Sequence, residues 1–312
     1  MIRALLLALA MLAAPLQAAE VDRWLAMIGP ALRGLDYEGT LVYLADGRIE
    51  TMMVWHRDDD GRERERLVAV TGPRREVARD GERVVCVGTG SGSVAYEGAT
   101  TGRWSGAEAL SRAAGLRGYR ATLGNAGRVA GHDAQVIDVP ARDGWRYGHR
   151  LWLERRTGLP LRVDLLDADG TAIEQVAFTE LRFTTPADAD LQPSAEAVPM
   201  PARRGASHLR STPRWEVPVP PPGYALRASR PVGDGVQLLF SDGLASVSVY
   251  VERIGPGLRG ATTTRRAAVH ARSYCVDGWR VLAIGKVPLA TVDRFARTVR
   301  ALPAERTPPA DG

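Results

Sequence analysis

The sequence is poor in the residues most often used for covalent, redox and metal chemistry. It has two cysteines, Cys86 and Cys275, and five histidines in 312 residues. No Cys-x-x-Cys occurs, so a zinc ribbon or a thioredoxin-type redox pair is excluded. His56, His132, His149, His208 and His270 are scattered without ligand spacing, and no His-Glu-x-x-His or Gly-x-Ser-x-Gly is present. Gly88 to Gly92 is glycine-rich but lacks the third glycine of a dinucleotide fingerprint, a surrounding βαβ unit and the lysine of a P-loop. Lys286 is the only lysine. No resident metal or cofactor is expected, and the missing constellations point away from an enzyme. No stretch reaches eighteen apolar residues, so a stable membrane anchor is not expected either.

What is present begins with an export signal. Met1-Ile2-Arg3 is followed by an apolar run, Ala4 to Ala14, and a small-residue exit, Pro15-Leu16-Gln17-Ala18-Ala19. That is the pattern of a secretory signal peptide, cleaved near Ala18, with a bacterial periplasm as the destination. In such a compartment Cys86 and Cys275 either form one disulfide or stay as two separate thiols, and their spacing leaves both open. The net charge is +5, carried almost wholly by arginine. A GC-rich genome explains arginine usage, and so does recognition of oxyanions by guanidinium. An exported chain is not expected to take nucleic acid as its ligand; anionic headgroups or an acidic protein suit it better.

The mature chain reads as α+β. Val21, Trp24, Leu25, Ile28 and Leu32 fall at helical spacing over Glu20 to Leu35, and Pro30 should kink or end that helix. Tyr37 to Arg57 then reads as two strands around Asp46-Gly47, a strong hairpin signal, because a type I′ turn needs φ > 0 twice. A two-residue turn pairs Ala45 with Arg48, Leu41 with Met52 and Tyr37 with His56. One face then carries Tyr37, Leu41, Tyr43, Met52 and Val54. The other carries Glu38, Thr40, Val42, Leu44, Ile49, Thr51, Met53 and Trp55. Neither face is cleanly polar, which fits a curved sheet with a ligand inside or an ordinary hairpin packed on both sides. Arg62 to Val70 is a third strand whose charged first half should project as a solvated rim. His56 reads as a structural histidine before a catalytic one.

Further strands return after a short Ala/Leu helix at 107–116 and continue to Phe183. Composition shifts at Thr185: nine prolines between Pro186 and Pro222 mark an extended linker. The organisation expected is a signal peptide at 1–18, a sheet domain at 19–186, a Pro-rich linker at 187–213, a small α+β domain at 214–303 and a polar tail at 304–312. In the second domain, strands 236–240 and 245–252 flank Ser241-Asp242-Gly243. Val292, Phe295, Ala296, Val299 and Leu302 form the stripe of a helix over 289–302.

Several stretches in order resemble the MucB/RseB family of periplasmic sigma-factor regulators. They are Tyr37-Glu38-Gly39-Thr40, Trp55-His56-Arg57, Glu63 to Leu67, Gly72 to Val77, Arg146 to Leu153, Thr157-Gly158-Leu159-Pro160, Glu180 to Phe183, Pro222-Gly223-Tyr224, Phe240 to Glu252 and Gly285-Lys286-Val287-Pro288. The resemblance implies an N-terminal half-open antiparallel β-barrel with covering helices, like the Lol lipoprotein carriers, and a smaller C-terminal α+β domain. It implies a negative regulator of the envelope-stress sigma factor. Such a protein binds the periplasmic domain of a membrane anti-sigma factor of RseA/MucA type and shields it from site-1 proteolysis. Lipopolysaccharide or another acyl ligand releases it. On that footing Leu41, Tyr43, Met52 and Val54 are the expected lipid-binding residues. Ser246, Ser248 and Tyr250, on a strand whose edge could accept an extended peptide, are the expected partner-binding residues. The competing reading is a lipid or lipoprotein carrier with no regulatory partner.

Overall fold

A computed structural model describes residues 2–88, 93–97, 105–112, 117–195, 198–199, 215–255, 259–276 and 278–302. The glycine-rich residues 89–92, most of the linker and the polar tail lie outside them. Two compact units emerge: residues 1–142 with 147–202, and residues 143–146 with 203–312.

The first unit opens with helix α1 (Ile2–Gly34). Six strands follow: β1 (Tyr37–Ala45), β2 (Arg48–Asp59), β3 (Arg62–Ala69), β4 (Arg75–Asp80), β5 (Arg83–Gly88) and β6 (Ser93–Glu97). Then come α2 (Ser105–Arg112), β7 (Thr122–Val129), β8 (His132–Val139), β9 (Gly148–Glu154), β10 (Pro160–Leu166), β11 (Ala172–Arg182), the single turn α3 (Asp188–Leu191) and β12 (Val198–Pro199). All twelve strands make one sheet, ordered β12-β6-β5-β4-β3-β2-β1-β11-β10-β9-β8-β7. Every pairing is antiparallel except β12 with β6. The sheet does not close on itself; it is a half-open barrel with two edges.

The covering helix follows from its stripe. Val21, Trp24, Leu25, Ile28, Ala31 and Leu32 are buried, at the helical spacing expected. Pro30 does not end α1, which runs one more turn to Gly34. Pro30 is exposed and so near the terminus that little of the helix beyond it depends on the lost hydrogen bond. The β1–β2 register is the one that a two-residue turn dictates, from Ala45–Arg48 to Tyr37–His56. Asp46 and Gly47 both take positive φ, 49° and 68°. Gly39 is required where β1 meets β11, since a Cβ there would run into the Glu180 carbonyl oxygen.

The second unit has β13 (Trp215–Glu216), β14 (Ala225–Val232), β15 (Gly235–Ser241), β16 (Ser246–Arg253), β17 (Gly260–Arg266), β18 (Val269–Val276), β19 (Trp279–Gly285), α4 (Leu289–Thr298) and β20 (Arg300–Ala301). Six of these strands form an antiparallel sheet, ordered β14-β15-β16-β19-β18-β17. Val247, Val249 and Val251 from one face of β16 meet Val292, Phe295 and Ala296 of α4 in the core. The helix stops at Thr298, earlier than the apolar stripe suggested, because Arg300 and Ala301 turn extended to pair with β13. Among the described residues no helix is long and apolar enough to cross a membrane. Among them, too, no group of three His, Cys, Asp or Glu side chains is placed to hold a metal ion. Cys86 and Cys275 lie in different units and form no disulfide.

Candidate functional site

Alternation along β1 and β2 places Tyr37, Leu41, Tyr43, Met52, Val54 and His56 on one face. Leu41, Met52 and Val54 are fully buried there, at 0%, 4% and 1% exposure, and Tyr43 is half-buried. The expected lipid-binding residues are therefore brought together, and in this structure their space is filled. The opposite face carries a shallow cavity of about 190 Å³, lined by Thr40, Met53, Trp55, Glu180 and Arg182 and reached by Val54.

A row of titratable groups crosses the buried face. Tyr37 pairs with His56, His56 with Glu65 and Glu65 with Arg79, on four successive strands. The His56 ring is fully buried and stacked on Tyr37, with centroids 4.9 Å apart and 7° between planes. His56 Nδ1 lies 2.7 Å from the Leu35 carbonyl oxygen, which can only accept, so Nδ1 carries a proton. Nε2 lies 3.6 Å from Glu63 Oε1, which favours a second proton. Burial lowers the His56 pKa, but the nearby Glu63 carboxylate, the charge of Glu65 and the Leu35 carbonyl outweigh it and raise it. Burial raises the pKa of Glu65 and pushes that of Tyr37 well up.

The charged half of β3 is not a solvated rim. Arg64 is buried and bonded to Asp59 at 3.3 Å and Asp188 at 2.6 Å. Arg57 meets Asp59 and Asp188 at 2.7 and 2.6 Å and donates to the Pro186 carbonyl at 2.9 Å. Arg66 lies over the Trp55 ring and binds Glu76 and the Asp190 carbonyl. Glu76 accepts from Ser194 N at 2.8 Å and Oγ at 2.5 Å. Residues 186–195, expected as the start of a linker, are thus strapped across β2, β3 and β4. Sequence reasoning missed this: the Arg/Glu alternation of 62–66 was visible, but its partners lie about 120 positions away.

In the second unit β16 is an interior strand, paired with β15 and β19. The edge expected to accept a peptide is not there, because every backbone ladder position of β16 faces a neighbour. Ser246, Ser248 and Tyr250 remain on one face, opposite the buried valines. Ser246 is exposed and the other two half-exposed. The Ser241-Asp242-Gly243 turn has a structural role. Asp242 Oδ1 accepts from Leu244 N and Ala245 N, and Oδ2 accepts from Arg146 at 2.5 Å. Arg146 also donates to the Pro222 carbonyl and lies over the Tyr224 ring. Both charged side chains are almost wholly enclosed.

Residues 20–198 match the model of the MucB/RseB N-terminal domain, and residues 210–300 that of its C-terminal domain. The chain belongs to the MucB/RseB family. The sigma factor AlgU regulatory protein MucB of Pseudomonas aeruginosa is 35% identical, covering 91% of this chain and 92% of that one. The sigma-E factor regulatory protein RseB of Escherichia coli K12 is 27% identical, covering 86% and 87%. A solved MucB bound to MucA(peri) superposes with a TM-score of 0.74, at 31% identity, over 91% of this chain and all of that one. His56 and Arg57 hold the β2–β3 region, and Asp242 takes the buried Arg146.

Proposed function

We propose that this chain is a periplasmic negative regulator of an envelope-stress sigma factor. It binds the periplasmic domain of a membrane anti-sigma factor of RseA/MucA type and shields it from site-1 proteolysis. Lipopolysaccharide or another acyl ligand releases it. The observation that carries the reading is full-length likeness, in both units, to a MucB solved with MucA(peri). Export rests on the basic, apolar, small-residue start ending near Ala18. The role is binding rather than turnover.

Ligand release requires that the acyl chain favour the partner-free state. The buried face of Leu41, Tyr43, Met52 and Val54 is the proposed lipid site, and since it is filled, entry requires the hairpin to part from what covers it. The open face of β16, with Ser246, Ser248 and Tyr250, is the proposed partner surface, through side chains rather than strand addition. The lipid-binding role is assigned to the sheet domain from 19, on which residues 186–195 and 198–199 dock, the linker to the stretch that follows up to 213, and the partner-binding role to 214–303. The test is a protection assay. Residues 19–312 are mixed with the anti-sigma periplasmic segment of the same genome and the site-1 protease, with and without lipopolysaccharide. Protection that lipopolysaccharide abolishes is the expected result. Lipid binding without partner binding or protection would instead favour a carrier with no regulatory partner.

A further inference from the structure

The strap over β2–β4 is held by charge as well as by apolar burial. Pro186 and Leu191 are its buried apolar anchors among the described residues of 186–195. The Asp188 side chain is 73% exposed, while its partners Arg57 and Arg64 are 14% and 11% exposed. An exposed carboxylate has been brought over from solvent to neutralise an enclosed guanidinium pair. Asp59 is shared between the two, and Asp80 lies 3.9 Å from Arg64 while also paired with Arg62. With the strap lifted, Arg57, Arg62 and Arg64 would share two carboxylates, and the imbalance favours an incoming oxyanion.

A cavity of about 450 Å³ continues from Arg64 beneath the strap. Ala78 and Val85 form an apolar floor, Leu191 lies on the strap side, and Arg79 and Arg83 supply further positive charge. Asp80 also lines it, but is held by Arg62 at 2.6 Å. Arg79 is paired with Glu63 at 3.0 Å. Arg83 makes no ion pair among the described residues, and points to the group that would meet a ligand first.

We propose that the Arg57–Arg64 pair, together with the cavity that opens from Arg64, is an oxyanion site for a phosphate group, free or carried by a short apolar chain, and that residues 186–195 are its lid, with Asp188 the internal competitor. A phosphate that takes the place of Asp188 on Arg57 and Arg64 loosens the lid. It can do so only by binding the lid-open state better than the closed one. The β12–β6 pairing lies on the same segment as the lid, so its release leaves the β6 edge without its short parallel neighbour. This inference does not rest on the anti-sigma reading, and its test needs no partner protein.

The test is titration calorimetry of the mature chain with two probes, inorganic phosphate and dihexanoyl phosphatidic acid below its micellar concentration. Amide exchange of residues 186–199 is followed in parallel. Asp188→Asn should bind phosphate about two- to five-fold more tightly than the wild type, the range expected on removing an exposed ion-pair competitor. Ser194→Ala, which loosens the other end of the strap, should move affinity in the same direction. Arg83→Gln should bind roughly ten-fold more weakly, since a charge-assisted hydrogen bond is lost. Phosphate should speed exchange across 186–199. Tighter binding of the lipid probe assigns the apolar floor a role, and equal binding assigns the site to free phosphate; either supports the proposal. No binding of either probe at millimolar concentration, or affinities unchanged in all three variants, would overturn it. So would phosphate binding that leaves strap exchange as it was.

Discussion

His56 lies between two oxygen acceptors, the Leu35 carbonyl and the Glu63 carboxylate, with Tyr37 stacked on its ring and Glu65 opposite. The facing cation is Arg79, paired to Glu63. Because the folded pKa of His56 is raised above 6.5, the folded state binds the extra proton and stability falls as pH rises through that folded value. Glu63 is lowered: burial pushes it up, but the nearby His56 ring and Arg79 outweigh burial. Its contribution is present above 4.5 and lost as pH falls through its folded pKa. Urea unfolding over a pH series should therefore show His56→Gln least stable relative to wild type near pH 5 to 6. The gap should narrow above the raised pKa of His56. A pH-independent gap would mean that the ring acts by packing alone. Arg146 gives a second residue-scale expectation. Replacing it with alanine leaves Asp242 enclosed without its cation, which costs about 3–5 kcal/mol, read from the urea midpoint. Leu41→Ala should cost about 2–5 kcal/mol by opening a cavity at a fully buried site. Half-buried Tyr43 is therefore the better residue at which to test lipid contact without unfolding.

At the scale of elements, the strap behaves as a pH-dependent clasp. The Glu76 pKa is lowered: burial works against it, and the hydrogen bonds from Ser194 and Arg66 outweigh burial. The Asp188 pKa is lowered by Arg64 first and Arg57 second. Both carboxylates thus stabilise the docked strap above their ordinary range and lose that effect as pH falls through their folded values. Protection from amide exchange over 186–195, relative to the intrinsic rate at each pH, should be high at pH 7 and fall on acidification below about pH 4, before the 12-stranded sheet itself opens. Glu76→Gln should bring that loss of protection to neutral pH. The hairpin was legible as an element because Asp46-Gly47 fixes a turn of two residues, and alternation then assigns every side chain to a face. The strap was not. A proline-rich stretch reads as extended in either case, and nothing local says that Asp188, Asp190 and Ser194 meet Arg57, Arg64, Arg66 and Glu76.

At the scale of the whole molecule, the proposed separate surfaces for lipid and partner predict separable losses. Tyr250→Ala should weaken protection of the anti-sigma segment while leaving lipid binding unchanged. Tyr43→Ser should leave protection in place and make it less sensitive to lipopolysaccharide. The same protease assay reads both. Loss of both functions in either variant would mean that the two surfaces are one.

The sequence alone determined whatever depends on neighbours along the chain. That includes the first helix and its buried stripe, the hairpin register and the composition break after Thr185. Local periodicity and turn chemistry act over a few residues, so they survive without tertiary information. Tertiary structure decided the rest. It filled the face that was expected to hold lipid. It placed β16 in the interior of its sheet rather than at an edge, and enclosed the charges of β3 beneath a segment about 120 residues further on. In each case the deciding energy is a contact between residues far apart in sequence, where burial and the pairing of opposite charges outweigh what local pattern prefers.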